Sequence, residues 1–532
     1  MKLPNKKYGI ALLAGAACVL GFAPFAIYPI SVLALMALFI LWHNIESPGS
    51  AAKVGFAFGL GLFSVGISWI YVALHDYGDM PMLLAALATL LFAAFIALLP
   101  AMAGYIQARF VVPSWVRYVV VMPAAWVLFE WLRGFLFTGF PWLTLGYVHS
   151  DSPLAGYTPV LGVYGVSLVA AVSAGLLALI AQKVILNKAW FVTPTKVGVQ
   201  SELTHLDFGL RRNDGIYWVV LGLILLWGGG ALLRTVAWTH PQGEPFSVAL
   251  VQGNIAQNLK FNEDALIGTL ENYRRLVLQN DARLIVLPET ALPLQRHELP
   301  ENLVTQLRDH AKQNGGDVLI GSFVRDENSH YYNSVFTLGL AQEQLYRKQH
   351  LVPFGEFIPL RPVLGWFINE VLSIPMGDLT RGSAQQAPLN VAGQQVAVNI
   401  CYEDVFGEEI IRALPQATLL VNVTNDAWYG HSYAAEQHNQ ISQLRALETG
   451  RMMLRATNTG VTSIIGVDGK VLQQIPQHQE GVLQGMAQGY AGITPYARWS
   501  NAAVLLLLIA MLAYAWLQRN SKNSSSRLQG NQ

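Results

Sequence analysis

Cys401 is the residue of this sequence whose surroundings most strongly indicate chemistry. It ends the apolar run VAVNI at 396–400 and is followed directly by Tyr402 and Glu403. The only other cysteine, Cys18, lies in an N-terminal apolar stretch, so the sequence gives no reason to pair the two. A lone thiol at a strand end beside acidic residues is a candidate nucleophile. The alternative is a buried structural cysteine.

Two more residues could assist a thiol nucleophile, and each also ends an apolar segment. Glu289 follows the run LIVLP at 284–288, and Lys348 ends the segment LYRK at 345–348. In α/β folds, residues beyond the carboxyl ends of the strands converge on the functional site. There a carboxylate can accept a thiol proton, and an ammonium can stabilise a thiolate and a developing oxyanion. Taken singly, Glu289 could be a solvated cap and Lys348 a surface charge.

The elements that must position these residues alternate between strands and amphipathic helices. The expected strands lie at 247–252, 284–288, 318–323, 334–338, 344–348, 396–401, 419–425 and 462–467. The expected helices lie at about 262–280, 300–314, 404–413 and 433–449. The apolar runs at 284–287 and 419–421 predict strands that helices cover on at least one face. The region 241–495 is therefore predicted to be one α/β domain.

The rest of the chain has the composition of a membrane protein. Of its 532 residues, 53% are hydrophobic and 13% charged, whereas soluble domains carry about 25% charged residues. Spans near the required length of about 20 apolar residues lie at 8–25, 27–43, 53–74, 81–107, 115–134, 160–182, 216–234 and 499–517. So many long apolar spans disfavour the alternative, buried helices of a soluble protein. The net charge of +1 gives no support for a nucleic-acid partner.

Lysine and arginine mark alternate loops, which predicts the orientation in the membrane. They cluster at the N-terminus, around Lys53, at Arg109 and Arg117, in the loop 183–212 and in the tail after Arg519. The positive-inside rule places these loops and both termini in the cytoplasm. The predicted domains are a seven-span bundle at 1–240, an extracytoplasmic catalytic domain at 241–495, an eighth helix at 496–519 and a polar cytoplasmic tail at 520–532. An unpaired thiol in an oxidising compartment favours a reactive role.

The surroundings of Glu289, Lys348 and Cys401 resemble the Glu-Lys-Cys signature of the nitrilase superfamily across residues 245–490. Further segments resemble its membrane-embedded apolipoprotein N-acyltransferase family: VQGNI at 251–255, NVTNDAWYG at 422–430, RALE at 445–448 and NTGVT at 458–462. Phe261 departs from that family, which often has tryptophan there. The resemblance implies an α/β fold: a nitrilase-like αββα sandwich inserted in an eight-helix transmembrane bundle.

The resemblance also implies roles for individual residues. Glu289 matches the general base, Lys348 the oxyanion-stabilising lysine and Cys401 the nucleophile. The supporting residues that it implies are Glu356, Tyr402 and Glu403, and the substrate-binding residues are Phe261, Trp366 and Trp428. Packing beside the strand remains the alternative for Tyr402, as helix capping does for Glu403.

The implied reaction is ping-pong acyl transfer through a thioester. The acyl donor would be a membrane phospholipid, and the acceptor would be the N-terminal amine of a diacylglyceryl-cysteine apolipoprotein. The implied location is a bacterial inner membrane, with the catalytic domain on the periplasmic side. No cofactor is expected, and His431 and His438 have no partners at metal-ligand spacing.

Two apolar segments, 357–376 and 135–143, are predicted to contact lipid, the first as a lid containing Trp366. The alternative is packing against the domain or the bundle. Two other functions stay open: a membrane-tethered amidase acting on a small amide, and a transporter with an accessory domain. A transporter would need charges along an intramembrane pathway, and the predicted spans offer few beyond Glu130 and Arg133.

Overall fold

The computed structural model describes residues 6–191, 214–260, 262–358 and 379–529. The chain forms two compact units. One comprises Met1–Ile67, Leu90–Val236 and Asn501–Gln532, and the other comprises Ser68–Thr89 and Ala237–Ser500. Phe261, Trp366 and most of the predicted lid lie outside the described residues.

Six helices of the described chain are long and apolar enough to cross a membrane. They are Pro48–Gly66, Met82–Ala108, Ser114–Arg133, Pro153–Lys183, Gly215–Leu233 and Ala502–Arg519. Two further helices, Lys6–Cys18 and Tyr28–His43, have 13 and 16 residues and fall short of the about 20 residues that a full crossing needs. The membrane character is thus supported, and the count of eight crossings stays a prediction.

Glycines set the packing of the first apolar helix against the third. A Cβ atom on Gly15 would lie 1.9 Å from the carbonyl oxygen of Phe58, and one on Gly61 would lie 2.0 Å from that of Leu12. No larger residue fits at this separation, and small residues of this kind bring helices together in membranes. The short helix Lys6–Cys18 is therefore packed closely along Pro48–Gly66.

The predicted span 53–74 is divided in the structure. Its helix ends at Gly66, and a separate helix, Trp69–His75, follows. Residues Ser68–Thr89 belong to the second compact unit. There the ring of Trp69 lies 4.6 Å from that of Tyr429, centroid to centroid.

The described residues of the second unit form twelve strands in two six-stranded sheets. The strands are β1 Thr239–Gln252, β2 Leu284–Val286, β3 Asp317–Arg325, β4 Tyr331–Gly339, β5 Leu345–Arg347, β6 Leu389–Val391, β7 Gln394–Ile400, β8 Leu419–Thr424, β9 Met453–Thr457, β10 Thr462–Ile465, β11 Val471–Ile475 and β12 Gly481–Gly492. The first sheet has the order β12-β1-β2-β3-β4-β5, and the second β11-β10-β9-β8-β7-β6.

Each sheet has a parallel centre flanked by antiparallel strands. Strands β1, β2 and β3 are parallel neighbours, as are β7, β8 and β9. Strand β5 also runs parallel to β3, because both are antiparallel to β4. The carboxyl ends of β2 and β5 therefore lie at one edge of the first sheet, and those of β7 and β8 at one edge of the second.

Helices cover the outer face of each sheet. Glu263–Leu278 and Glu301–Gln313 pack against the first sheet through a core that includes Val277, Leu307 and Ile320. Ala434–Thr449 packs against the second sheet through a smaller core, which contains Leu420, Ala446 and Met453.

The inner faces of the two sheets pack on each other. Strand residues that point away from the helices, such as Val248 on β1 and Leu419 and Val421 on β8, are buried as well. Strand β1 also contacts β9 and β10 of the second sheet. The unit is an αββα sandwich, and the predicted α/β fold with these layers is confirmed.

Four strands, β6, β9, β11 and β12, are absent from the sequence-based prediction. Strand β12 carries four glycines in GVLQGMAQGYAG, and β11 is mostly exposed, so neither has the apolar pattern of a buried strand. Strand β9 contains the fully buried Arg455. Tertiary pairing with β1 and β8 stabilises strands that their local sequence does not indicate.

Candidate active site

Residues that follow the parallel strands form a cluster of buried polar side chains. Glu289 comes three residues after β2 ends, Lys348 directly follows β5 and Cys401 directly follows β7. All three are at least nine-tenths buried. Cys401 has a φ of 52°, a left-handed conformation that is strained for a residue with a side chain. The chain thus turns sharply at the thiol.

Two carboxylates flank the Lys348 ammonium. Its Nζ lies 2.8 Å from Oε1 of Glu356 and 3.4 Å from Oε1 of Glu289. A buried ammonium needs such partners, because an unpaired charge in the interior is strongly destabilising. Glu356 is fixed in turn, since its Oε2 accepts a hydrogen bond of 2.8 Å from the backbone N–H of Val352.

Two asparagines orient the Glu289 carboxylate. Nδ2 of Asn333, on β4, donates to Glu289 Oε1 at 2.7 Å and to Glu356 Oε1 at 3.2 Å. The backbone N–H of Asn425, just after β8, donates to Glu289 Oε2 at 2.8 Å. Because Asn425 follows a strand of the second sheet, this bond joins the Glu289 carboxylate to the sheet that carries Cys401.

The charges of this cluster act on the thiol. Burial raises the pKa of Cys401 well above its usual value, the negative charge of Glu289 raises it further, and Lys348 opposes both. Burial would lower the pKa of Lys348, but Glu356, Glu289 and Cys401 outweigh it and raise that pKa. The lysine is therefore held as a cation and the thiol is neutral at rest. A thiol of this kind needs a base beside it to form the thiolate.

Glu403 ties the turn at Cys401 to the segment that follows Lys348. Its carboxylate accepts hydrogen bonds from the N–H of Ile400 at 2.6 Å, of Gln349 at 2.6 Å and of His350 at 3.1 Å. The hydroxyl of Tyr346 lies within hydrogen-bond distance of both of its oxygens. Burial raises the pKa of Glu403 to about 7, against the effect of these donors. The role of this residue is thus wider than capping the turn Cys401–Val405.

Tyr402 packs beside the turn. Its ring lies 5.3 Å from that of Phe406 and 6.0 Å from that of His350, centroid to centroid. Trp428 lies in the 3₁₀ turn Asp426–Tyr429, after β8, with its ring 6.3 Å from that of Tyr77.

A second buried network lies around His438. Its Nε2 is 2.8 Å from Asp404 Oδ1, and its Nδ1 is 3.0 Å from Asp426 Oδ1. Arg455 binds the other oxygen of each aspartate, at 3.1 Å and 3.0 Å. Burial and Arg455 would lower the pKa of His438, but the two aspartates outweigh them and raise it. With His438 protonated, two cations balance two anions.

This network reaches the thiol through two strand residues. Nδ2 of Asn422 donates to the carbonyl oxygen of Cys401 at 3.2 Å, while its Oδ1 accepts from Arg455 at 2.8 Å. Thr424 forms a side-chain hydrogen bond with Cys401, and its Oγ1 also donates to Asp426 at 3.3 Å. The turn at Cys401 is therefore held from both sides.

Several residues of this arrangement are not indicated by the sequence alone. Asn333 lies inside β4, and the signal for it is the single amide of the strand YYNSVFTLG. His438 and Arg455 lie within a helix and a strand where nothing in the local pattern marks them. Lys260, which is 2% exposed, gives no sequence signal beyond its position beside Phe261.

The carbon–nitrogen hydrolase family model matches residues 247–495, the region of the sandwich. A second family model, the apolipoprotein N-acyltransferase N-terminal domain, matches residues 14–176. An apolipoprotein N-acyltransferase of Nitrosomonas europaea is 49% identical over 505 residues, which cover 94% of this chain and 95% of that protein. One of Methylococcus capsulatus is 42% identical, over 98% of each chain. The chain belongs to the apolipoprotein N-acyltransferase family.

Among solved structures, the C. elegans NitFhit protein is similar over 46% of this chain and 61% of its own, at 15% identity and a TM-score of 0.35.

Proposed function

We propose that this acyltransferase moves an acyl chain from a membrane phospholipid to the N-terminal amine of a diacylglyceryl-cysteine apolipoprotein. The reaction is ping-pong, with a thioester on Cys401 between its two halves. The observation that carries the proposal is the buried cluster of Lys348, Glu289 and Glu356, in which the charges of Lys348 and Glu289 act on the Cys401 thiol. The full-length similarity to enzymes of that name supports the choice of substrates.

In the first half, Glu289 takes the proton of the Cys401 thiol as the sulfur attacks the ester carbonyl. A C–S bond forms, and the carbonyl oxygen becomes an oxyanion beside the Lys348 ammonium. The oxyanion then collapses and the ester C–O bond breaks. The lysophospholipid leaves with the proton from Glu289, and the acyl group remains on sulfur.

In the second half, the α-amine of the acceptor attacks the thioester carbonyl. Glu289 accepts a proton from the amine, and Lys348 stabilises the second oxyanion. The C–S bond breaks as the amide forms, and the proton passes to the sulfur. The enzyme returns to its starting state with the acyl chain on nitrogen.

Supporting roles are proposed for the neighbours of these three residues. Glu356 orients the Lys348 ammonium, and Glu403 and Tyr402 hold the turn at Cys401 against the segment after Lys348. Trp428, Phe261 and Trp366 are proposed to contact substrate, the last two on the sequence resemblance alone.

The proposed setting is the bacterial inner membrane, crossed eight times, with both termini cytoplasmic and the domain 241–495 periplasmic. The spans are those of the segments 1–240 and 496–519, with 520–532 as the cytoplasmic tail. Six apolar helices of sufficient length support a multi-pass protein. Residues Ser68–Thr89 pack within the catalytic unit, which supports placing that loop and the domain on the same side.

Both proposed substrates are anchored in lipid, so an apolar surface should receive them. In the segment 135–143, Phe135 and Phe137 are 68% and 74% exposed, whereas Trp142 and Leu143 are buried. Exposed aromatic side chains of this kind suit contact with acyl chains. We assign the first part of the segment to lipid contact and the second to packing.

Intact-mass measurement of the purified protein tests the proposal. After incubation with phospholipid, the wild-type chain should gain the mass of an acyl group, and neutral hydroxylamine should remove it. Cys401→Ala should gain nothing, and Cys18→Ala should behave as wild type. Adding an apolipoprotein peptide should transfer the group to its amine. Release of free fatty acid in place of that transfer would mean that water is the acceptor and would overturn the transfer step, and a wild type without adduct would overturn the scheme.

A further inference from the structure

Lys260 is a buried cation that the proposed mechanism does not use. It ends the short helix Gln257–Lys260 and is 2% exposed. Its Nζ donates a hydrogen bond of 2.9 Å to the backbone carbonyl of Glu289. Among the residues that the structure describes, this carbonyl is the one hydrogen-bond acceptor of the ammonium. A lysine is seldom buried in this way unless its charge interacts with a negative group, because an uncompensated buried charge is destabilising.

The segment that carries Lys260 is fixed by amide side chains. Asn458 donates through Nδ2 to the carbonyl of Ile255 at 2.7 Å and accepts from its N–H at 3.0 Å. Nδ2 of Asn425 donates to Oε1 of Gln257 at 2.8 Å. Because Asn425 and Asn458 follow β8 and β9, the position of Lys260 is set by the second sheet. Its hydrogen-bond acceptor, however, follows β2 of the first sheet.

The charge of Lys260 is coupled to the reacting groups. Burial lowers the pKa of this lysine to about 8, while the negative charges of Glu289 and the Cys401 thiolate oppose the shift. Such coupling is mutual: if a thiolate stabilises the ammonium, the ammonium stabilises the thiolate to the same extent. Lys260 therefore has two links to the site: it donates a hydrogen bond to the backbone of Glu289, the proposed base, and its charge interacts with the Cys401 sulfur.

We propose that Lys260 is a second cation of the acylation half-reaction, one that positions Glu289 through its carbonyl and stabilises the Cys401 thiolate. This inference rests on the proposed function, in which Cys401 is the nucleophile. Lys348 and Lys260 would then share the task of stabilising negative charge. Lys348 is neutralised by two carboxylates, whereas Lys260 faces a carbonyl.

Three variants separate the charge of Lys260 from its hydrogen bond. Lys260→Arg keeps the cation, Lys260→Gln keeps a donor without the charge, and Lys470→Gln removes an exposed lysine as the matched control. The readout is the rate at which iodoacetamide alkylates Cys401, followed by peptide mass so that Cys18 is counted separately. Rates are measured across the neutral and alkaline range, and thermal unfolding checks that each variant folds.

We expect Lys260→Gln to slow the alkylation of Cys401 at neutral pH, where Lys260 is a cation, by about tenfold or more, the equivalent of one pKa unit. Lys260→Arg should stay within about threefold of wild type on that scale, and Lys470→Gln should match wild type. Acyl-adduct formation should fall in the same order.

Two outcomes would overturn the inference. One is Lys260→Gln with wild-type alkylation and acylation, which leaves the proposed function standing. The other is a folded Lys260→Arg as slow as Lys260→Gln, which would show that the charge is not what matters. A wild-type enzyme that is alkylated at Cys401 but forms no acyl adduct overturns the proposed function, and this inference with it.

Discussion

The Lys348 ammonium lies closer to Glu356 than to Glu289, at 2.8 Å against 3.4 Å. The difference in distance agrees with the different roles that the sequence resemblance implies for the two carboxylates. Glu356 contacts Val352 and Lys348, which suits the proposed role of counter-ion. Glu289 has the longer contact, which suits the proposed base, since a base has to exchange a proton.

Neutralising each carboxylate should therefore give different results. Glu289→Gln should abolish the acyl adduct, because no base remains for a thiol of raised pKa. Glu356→Gln should slow acylation by about 10²- to 10³-fold, as the loss of an oxyanion donor does, yet leave a measurable adduct after long incubation. The measurement is adduct mass against time. The exposed Glu298→Gln is the control, and near-normal acylation in Glu356→Gln would refute the counter-ion role.

Glu403 predicts a pH dependence on the acid side. Its pKa is raised to about 7, so lowering the pH through that value places a proton on an oxygen that has to accept N–H groups. The wild-type acylation rate should therefore fall below about pH 7. Glu403→Gln should be slow by about tenfold at higher pH, because an unsatisfied backbone donor costs about 1–3 kcal/mol.

The ratio of wild-type to Glu403→Gln rates is the quantity to measure, because the thiol affects both enzymes alike. That ratio should shrink as the pH decreases through about 7. The exposed Glu301→Gln serves as the matched variant. A ratio that stays constant with pH would contradict a role for the ionised Glu403.

His438 predicts that the stability of the fold depends on pH. Here the loss occurs as the pH rises, whereas the loss of activity predicted from Glu403 occurs as the pH falls. The folded pKa of His438 is raised above 6.5, so its contribution to the free energy of unfolding is complete below that value. The contribution is lost as the pH rises through the folded pKa. His438→Gln should lose about 3–5 kcal/mol, as expected when one member of a buried charge network is removed.

Thermal unfolding across the neutral and alkaline range measures this effect. The decline in stability that His438 causes in the wild type should be absent from His438→Gln. His330→Gln removes a partly exposed histidine paired with Asp326 and should cost no more than about 1 kcal/mol. If stability changes with pH to the same extent in wild type and His438→Gln, a charged His438 does not contribute to it.

The backbone conformation at Cys401 predicts that glycine is more stabilising than alanine at this position, the reverse of their usual order. At a φ of 52°, alanine is strained by about 1–2 kcal/mol and glycine is not. Cys401→Gly should therefore unfold at a higher temperature than Cys401→Ala, although glycine usually lowers stability. Thermal unfolding of the two proteins decides the point. A more stable alanine variant would mean that the turn relaxes without cost.

The exposed aromatic residues predict selectivity for lipid. Phe137→Glu should slow acylation by phospholipid far more than acylation by a short soluble thioester, because only the former needs an apolar surface. Leu340→Glu changes a 60% exposed residue of the catalytic unit and should affect neither. Equal losses on both substrates in Phe137→Glu would argue against lipid contact. Trp366→Glu, in the predicted lid, should give the same pattern.

The sequence predicts the sandwich because its central strands are apolar and end in polar residues. Glu289, Lys348 and Cys401 each follow such a strand, but residue type and position alone left a cap, a surface charge and a structural cysteine open, so the family resemblance was needed to select them. The bundle is equally visible from composition, apart from the two short helices at its start. The edge strands β11 and β12 could not be predicted in this way, because they are stabilised by pairing with β10 and β1 and their own sequences lack the apolar pattern of a strand.

The partners of the site are harder to predict, because they come from distant parts of the chain. Asn333 meets Glu289 across 44 residues, Asn425 across 136, and no local spacing signals either contact. Arg455 is an arginine inside a strand, and only the fold explains its burial between two aspartates. Lys260 is hidden for the same reason.

The proposed base and nucleophile belong to different sheets, since Glu289 follows β2 and Cys401 follows β7. Neither sheet alone carries all of the proposed catalytic residues, so one sheet without the other is expected to be inactive. Loosening the interface between the sheets would abolish activity before the chain as a whole unfolded. Turnover would thus report on the closure of the sandwich as sensitively as any spectroscopic probe.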